Sequence, residues 1–294
     1  MGDRKTEPDR EVASSEPEPE PEHGSGAGAG AGDPAIAFAE LDEALWDPTS
    51  RALVLRSRPR FDERVLDACS GDGASALPTA ELVGPGGVVD AVDLAEPLVE
   101  LAREEAGERM PQLRLHVGDA TTWPYTGYDL VQCVLGIPLF DDVEAGTRHL
   151  VECVRPGGRA AFAVWARGAL DPLPELLAGA LPADAPSADD PGAPDRSTVA
   201  PLTIAEADTA GMFAHWLAGI GLVEVRAEAV VRHLDLTGEL AWALVVSTGL
   251  RSSLGDLDDE TLDGVRERFL AGLEAREVAT VDITTLIAVG RRPG

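Results

Sequence analysis

An α/β fold with a doubly wound, largely parallel sheet is what this chain of 294 residues predicts. Three observations carry that prediction. Short apolar runs alternate with helical stretches from residue 63 to 165, as in successive strand–helix units. The first run, Val65-Leu66, ends in Asp67 and meets a tight turn at Gly71 and Gly73, then an alanine-rich helix near Ala74. Such a loop lets backbone approach a ligand closely at the carboxyl edge of a parallel sheet. The second run, Val88 to Val92, ends in Asp93, about 20 residues beyond the loop, where an acid can hold a ribose hydroxyl.

Taken in order, residues 1–33 read as a disordered acidic tail. Glu16-Pro-Glu-Pro-Glu-Pro-Glu22 alternates acid and proline, and residues 24–32 are glycine, alanine and one serine. That composition buries too little apolar surface to offset the entropy of ordering. The folded domain is expected over 34–294. Within 34–62, Phe38, Leu41, Leu45 and Trp46 fall at helical spacing, and Ala52, Leu53 and Val54 continue the face. Asp47-Pro48 is expected to break this helical cap. A helix follows the second strand, with Pro97 at its start and Leu98, Leu101, Ala102 and Ala106 as its buried stripe. The third strand, Leu113 to Val117, leads into Gly118-Asp119-Ala120. The fourth, Tyr128 to Leu135, leads into an apolar stretch through Ile137 and Phe140. Asp141-Asp142 then head a helix, where the dipole favours acid. Arg155-Pro156-Gly157-Gly158 turns into a fifth strand, Ala160 to Trp165, apolar enough to be buried on both faces. Residues 166–205 form an insertion dense in proline and aspartate around 182–191. Beyond it come a helix over 206–220, a strand over 222–236, helices over 239–250 and 258–275, and a last strand over 278–289.

In this order and spacing the motifs resemble the class I S-adenosylmethionine-dependent methyltransferases, over roughly residues 45–291. The family's acid-x-Gly-x-Gly-x-Gly loop is matched by Asp67-Ala68-Cys69-Ser70-Gly71-Asp72-Gly73, with Cys69 where the family has glycine. Asp93 matches the acid after strand two, Asp119-Ala120 the pair that faces adenine, and residues 155–158 the turn before strand five. The resemblance implies a Rossmann-like sheet of order 3-2-1-4-5-7-6 with strand 7 antiparallel, and S-adenosylmethionine as cofactor. It puts Asp67 near the methionine amino group and gives loop backbone to Ala68, Cys69, Ser70, Gly71 and Gly73. Asp93 takes the ribose and Asp119-Ala120 the adenine, with Leu94 and Leu135 alongside. The likeness is to small-molecule enzymes of the quinone- and natural-product-modifying type, so a small, largely apolar methyl acceptor is implied. Methyl transfer is an in-line displacement that depends on orientation and exclusion of water, and needs no fixed catalytic constellation. Trp46, Ile137, Phe140, Trp165 and Trp242 are the substrate-facing candidates, and each tryptophan equally suits a core.

Charge and cysteine usage bound the rest. Twenty-four basic against 52 acidic side chains leave a formal charge of −28, which repels nucleic-acid phosphates and argues against such a partner. Three cysteines without metal spacing, Cys69, Cys133 and Cys153, point to a reducing compartment and a cytoplasmic protein, and no metal is expected. Cys69 reads as a small loop residue before a reactive thiol. His23, His116, His149, His215 and His233 each read as structural before catalytic. No apolar run reaches about 18 residues, so no membrane span is expected. Two rival readings remain at this point: an NAD-dependent oxidoreductase using the same glycine loop, and a non-catalytic cofactor-binding or scaffold protein. The acceptor and the oligomeric state are left open.

Overall fold

The computed structural model describes residues 34–182, 204, 207–255 and 257–294. The expected acidic tail, His23 and most of the proline-rich part of the insertion lie outside the described residues.

Five parallel strands make the centre: β1 (Arg64–Ala68), β2 (Val88–Asp93), β3 (Leu113–Val117), β4 (Tyr128–Val134) and β5 (Val154–Trp165). Two more, β6 (Val223–Val230) and β9 (Thr285–Arg291), complete a seven-stranded sheet of order β3-β2-β1-β4-β5-β9-β6. β9 is antiparallel to both its neighbours. Apart from two short strands that shift the numbering, this is the expected order 3-2-1-4-5-7-6.

Alternation along the strands sorts their side chains into two layers. Val65, Val89, Ala91, Leu130, Ala161 and Ala163 meet α2 (Asp47–Ser57) and α3 (Ala76–Val83) through Leu53, Ala76, Ala80 and Val83. Leu66, Val131, Cys133, Phe162 and Val164 face the other way. They meet α5 (Val143–Cys153) and α7 (Ala210–Ile220) through Leu150, Val151, Phe213 and Leu217. A buried arginine ties α2 to the sheet. Arg159 donates to the backbone oxygens of Ser57 and Arg58, and bidentately to Glu63 at 2.9 and 2.6 Å.

A third apolar cluster stands over the carboxyl edge of the sheet. It joins α1 (Pro34–Ala39) and the turn after it to α6 (Leu173–Ala180), α8 (Gly238–Ser247) and α9 (Asp259–Ala275). The stretch 34–62 is not broken at Asp47-Pro48 as expected. A π-helical turn, Asp42–Trp46, runs directly into α2, and Pro48 sits in its first turn, where a missing N–H costs nothing. α6 was not foreseen inside the insertion. Its Leu173, Leu176, Leu177 and Ala180 are buried at helical spacing.

The two long strands expected near the end are each divided. Besides β6 and β9 there is a ribbon of β7 (His233–Asp235) paired antiparallel with β8 (Thr280–Asp282). Ile283 N donates to Arg232 O at 2.9 Å between the two pairings, so one antiparallel ribbon bends at 231–232 and 283–284. The bend carries Val281 and Ile283 out of the sheet layers and into the cluster under α8 and α9.

Candidate functional site

The site lies where the chain order reverses across the sheet, between β1 and β4, the position at which open α/β sheets bind ligands. Both strands end there in a left-handed residue. Cys69 has φ 56° after β1 and Leu135 has φ 57° after β4. Neither is glycine, so each stores strain of the kind that gathers at functional sites. Cys69 packs tightly on Gly136, where an added Cβ would come within 2.4 Å of the Cys69 Cβ. The substitution of Cys69 for the family's glycine thus keeps the left-handed turn rather than removing it.

Gly71 and Gly73 continue the loop at φ 54° and 94°. Ser70 N donates to Val92 O at 3.1 Å, and Gly71 N donates to Asp93 Oδ2 at 2.8 Å. Asp93 Oδ1 accepts from Ala95 N, also at 2.8 Å. One carboxylate therefore braces the glycine loop against the end of β2. The Phe38 ring lies over Gly71, and a Cβ built there would stand 3.1 Å from its edge. Gly71→Ala should accordingly lower stability by about 1–2 kcal/mol, the cost of a left-handed residue, before any shift of Phe38 is counted. Chemical denaturation checks this, and an unchanged midpoint would mean that the loop relaxes out of that conformation.

A cavity of 520 Å³ opens beside the loop, within the usual range of about 300–1,000 Å³ for small-molecule sites. Cys69, Ser70, Gly71, Asp72, Asp93, Pro97 and Leu98 line it from the glycine loop and the end of β2. Phe38, Trp46, Leu135, Leu139, Trp165 and Val246 add an apolar wall. Phe38 and Trp46 are stacked with centroids 4.5 Å apart and planes within 10°, and the Trp46 indole donates to Phe38 O at 3.0 Å. A shallower concavity adjoins it through Leu139, lined by Leu94, Asp119, Thr121 and Phe140 among others.

Three buried oxygens in this region lack a hydrogen-bond partner among the described residues: Asp42 Oδ1, Asp67 Oδ1 and Ser70 Oγ. Asp67 is fully buried, and its other oxygen accepts from Gln132 Nε2 at 2.8 Å. Burial pushes its pKa up to about 6, against the pull of Gln132 and of the neighbouring Ser75 hydroxyl. A second perturbed carboxyl sits at the junction of cap and loop. Asp42, on the π-helical turn, is raised to about 7, first by burial, then by the charge of Asp72 and the hydrogen bond it shares with Asp72. Asp72 is raised as well, chiefly by burial. The Cys69 thiol is held well above its usual range by its hydrogen bond to Cys133 and by burial, so it is not poised as a thiolate.

The structure brings together most of the residues expected at the site, though not all at its surface. Trp46, Cys69, Ser70, Gly71, Asp93, Leu135 and Trp165 line the cavity. Leu94, Asp119 and Phe140 line the adjoining concavity. Asp119 also caps a short turn, accepting from Thr121 N at 2.7 Å. Asp67, Ala68, Gly73 and Ala120 lie beneath the wall. Gly73 is packed on Leu77 and Ala102, and Ala68 and Ala120 are core. Two substrate-facing candidates are corrected: Ile137 is fully buried among the sheet residues of the α5 and α7 layer, and Trp242 is core against Phe269 at 5.9 Å. No histidine lines the cavity among the described residues. His116 is 3.4 Å from Asp90, and His149 donates to Trp123 O at 2.9 Å, both structural contacts. The sequence reading missed Ser50 and the segment Ser247, Thr248, Gly249 and Arg251, which close the cavity from the end of α8. Their only local signal was a helix stop near Gly249.

Comparison with known proteins agrees with this geometry. Residues 65–158 match the family model described as a methyltransferase domain. That match spans about a third of the chain, and the sheet has the strand order of the class I methyltransferase fold. Among curated proteins it is 36% identical over 115 residues to nocamycin O-methyltransferase of Saccharothrix syringae, covering 38% of this chain and 41% of that protein. It is 36% identical over 128 residues to aklanonic acid methyltransferase DauC of Streptomyces sp. strain C5, covering 42% of this chain and 58% of that one. The chain therefore spans about half the length of the curated relatives it matches. The solved YcgJ protein of Bacillus subtilis shares the fold at a TM-score of 0.54 and 17% identity, covering 84% of this chain and 99% of that one.

Proposed function

We propose that the protein transfers a methyl group from S-adenosylmethionine to a small, largely apolar acceptor of the natural-product or quinone type. The observation that carries this reading is the cavity at the β1–β4 switch point, which joins the polar, orphan-bearing glycine loop to an aromatic wall. When bound, the cofactor supplies an activated methyl group on a sulfonium. The residues present suit it. Asp93 has lone pairs beyond the two backbone bonds it accepts, enough for ribose hydroxyls. Leu94 and Asp119 line the concavity next to it, on the side expected for adenine. Ser70 Oγ and Asp67 Oδ1 are the unspent polar groups for the methionine end. Phe38, Trp46 and Trp165 exclude water and hold a flat acceptor by its faces. The antiparallel β9 between β5 and β6 speaks against the oxidoreductase reading, because a dinucleotide-binding sheet continues with parallel strands.

Three free thiols and an acid-rich composition suit a cytoplasmic enzyme, and no helix among the described residues is long and apolar enough to cross a membrane. Thermal unfolding with S-adenosylhomocysteine tests the reading. Ligand at 100 times its dissociation constant should stabilise the protein by about 2.7 kcal/mol. No shift with it, alongside a clear shift with NAD, would overturn the assignment.

A further inference from the structure

The cavity's charge is lopsided in a way that bears on the acceptor. Its charged lining consists of two carboxylates, Asp72 and Asp93, and one cation, Arg251. Asp93 already accepts two backbone N–H bonds, and Asp72 stands beside a second carboxyl, Asp42. Arg251 stands in the short turn Gly249–Ser253 that follows α8, and its guanidinium makes no hydrogen bond or ion pair with any described residue. In a chain with 52 acids against 24 bases, an arginine side chain readily meets a carboxylate. Arg56, Arg155, Arg159 and Arg167 do so, while Arg58, Arg60 and Arg226, like Arg251, make no ion pair with a described residue; Arg251 differs from these in lining the cavity. Arg251 lines the cavity together with the stacked rings of Phe38 and Trp46.

We infer that the methyl acceptor is a planar aromatic bearing an anionic oxygen group, a carboxylate or an acidic enol, and that Arg251 is the residue that selects it. This rests on the methyltransferase reading above and deepens it. A guanidinium matches a carboxylate in a planar, bidentate fashion. The stacked ring pair offers a flat face to an aromatic body. The surrounding field is negative, so an anion needs one local positive group to enter, and Arg251 supplies it. A carboxylate is also present on the methionine end of the cofactor, so the test must separate the two sources.

Calorimetry on the full chain does this. The parent and Arg251→Gln are titrated with S-adenosylhomocysteine, and then, loaded with it, with 3-hydroxy-2-naphthoate and with the matching uncharged amide. The parent should bind the acid about ten- to a hundredfold more tightly than the amide, as one charge-assisted contact implies. Arg251→Gln should erase that preference and leave S-adenosylhomocysteine affinity unchanged. If Arg251→Gln instead weakens S-adenosylhomocysteine tenfold or more, roughly the loss of one such contact, the guanidinium serves the cofactor and the inference fails. Equal binding of acid and amide by the parent, or binding of neither up to roughly 1 mM, overturns it while leaving the methyltransferase reading in place. Failure of the parent to bind S-adenosylhomocysteine would remove both.

Discussion

Asp93→Ala is expected to weaken S-adenosylhomocysteine binding by about tenfold to a hundredfold or more, the loss of charge-assisted bonds contributing on the order of 1.5–3 kcal/mol. The structure adds a second consequence to the one implied by an acid at a strand end. Both Asp93 oxygens hold backbone N–H groups, Gly71 on the glycine loop and Ala95 ahead of α4 (Glu96–Ala106). Removing the carboxylate therefore frees two amides and the loop they fix, and the protein should also melt earlier. Asp93→Asn separates the effects. Its amide oxygen keeps one brace, so stability should recover more than affinity does. Calorimetry beside thermal unfolding reads both. Parental affinity in Asp93→Ala, with folding intact, would mean that the ribose site lies elsewhere. Asp90, three residues earlier, is no neutral comparison. It is buried, accepts from the Tyr128 hydroxyl at 2.8 Å, and faces Arg64, Arg114 and His116, so its loss should fall on stability before binding.

How far the sequence exposed this site follows from how local each part is. The loop, Asp93 and the Asp119 turn are contiguous motifs with fixed spacing, and each stands at the edge of the sheet where the motif order put it. Ile137 and Trp242 were misplaced for a different reason. Apolar residues declare that they are buried, not what they are buried against, and both pack inward. Ser247 to Arg251 were invisible because no local pattern says that the end of α8 returns over β1 and β4, which are distant in sequence. The bend dividing the last two strands has the same character. Apolar residues recur on both sides of the bend, at Val231 and Leu234 and at Ile283 and Leu286, and the pairing of β7 with β8 outside the main sheet reveals the break.

Asp67 gives the other large expected effect, because it opposes function to stability. It is fully buried with one oxygen unpartnered, and burial raises its pKa from 3.8 to about 6. The sign of the pH dependence follows from linkage. An acid whose folded pKa is raised costs nothing while both states are protonated. The cost grows as pH rises from about 4 to about 6, where the unfolded chain ionises first, and it is full above that. Asp67→Asn keeps the shape and the Gln132 bond but carries no charge. It should match the parent near pH 4 and exceed it at pH 8 by about 1–3 kcal/mol, a discounted reading of a shift of about two units at 1.36 kcal/mol each. The same change should weaken binding of S-adenosylhomocysteine, whose ammonium group gains from a negative charge beneath the glycine loop. That charge is uncompensated by any arginine or lysine hydrogen-bonded to it. In the parent, ligand affinity should therefore rise as pH climbs through about 6, and in Asp67→Asn it should be flat there. Denaturation and calorimetry at pH 4, 6 and 8 check both halves. A variant less stable than the parent at pH 8 would show that the carboxylate is compensated in the native state, and an unchanged ligand pH profile would move the methionine amino group away from β1.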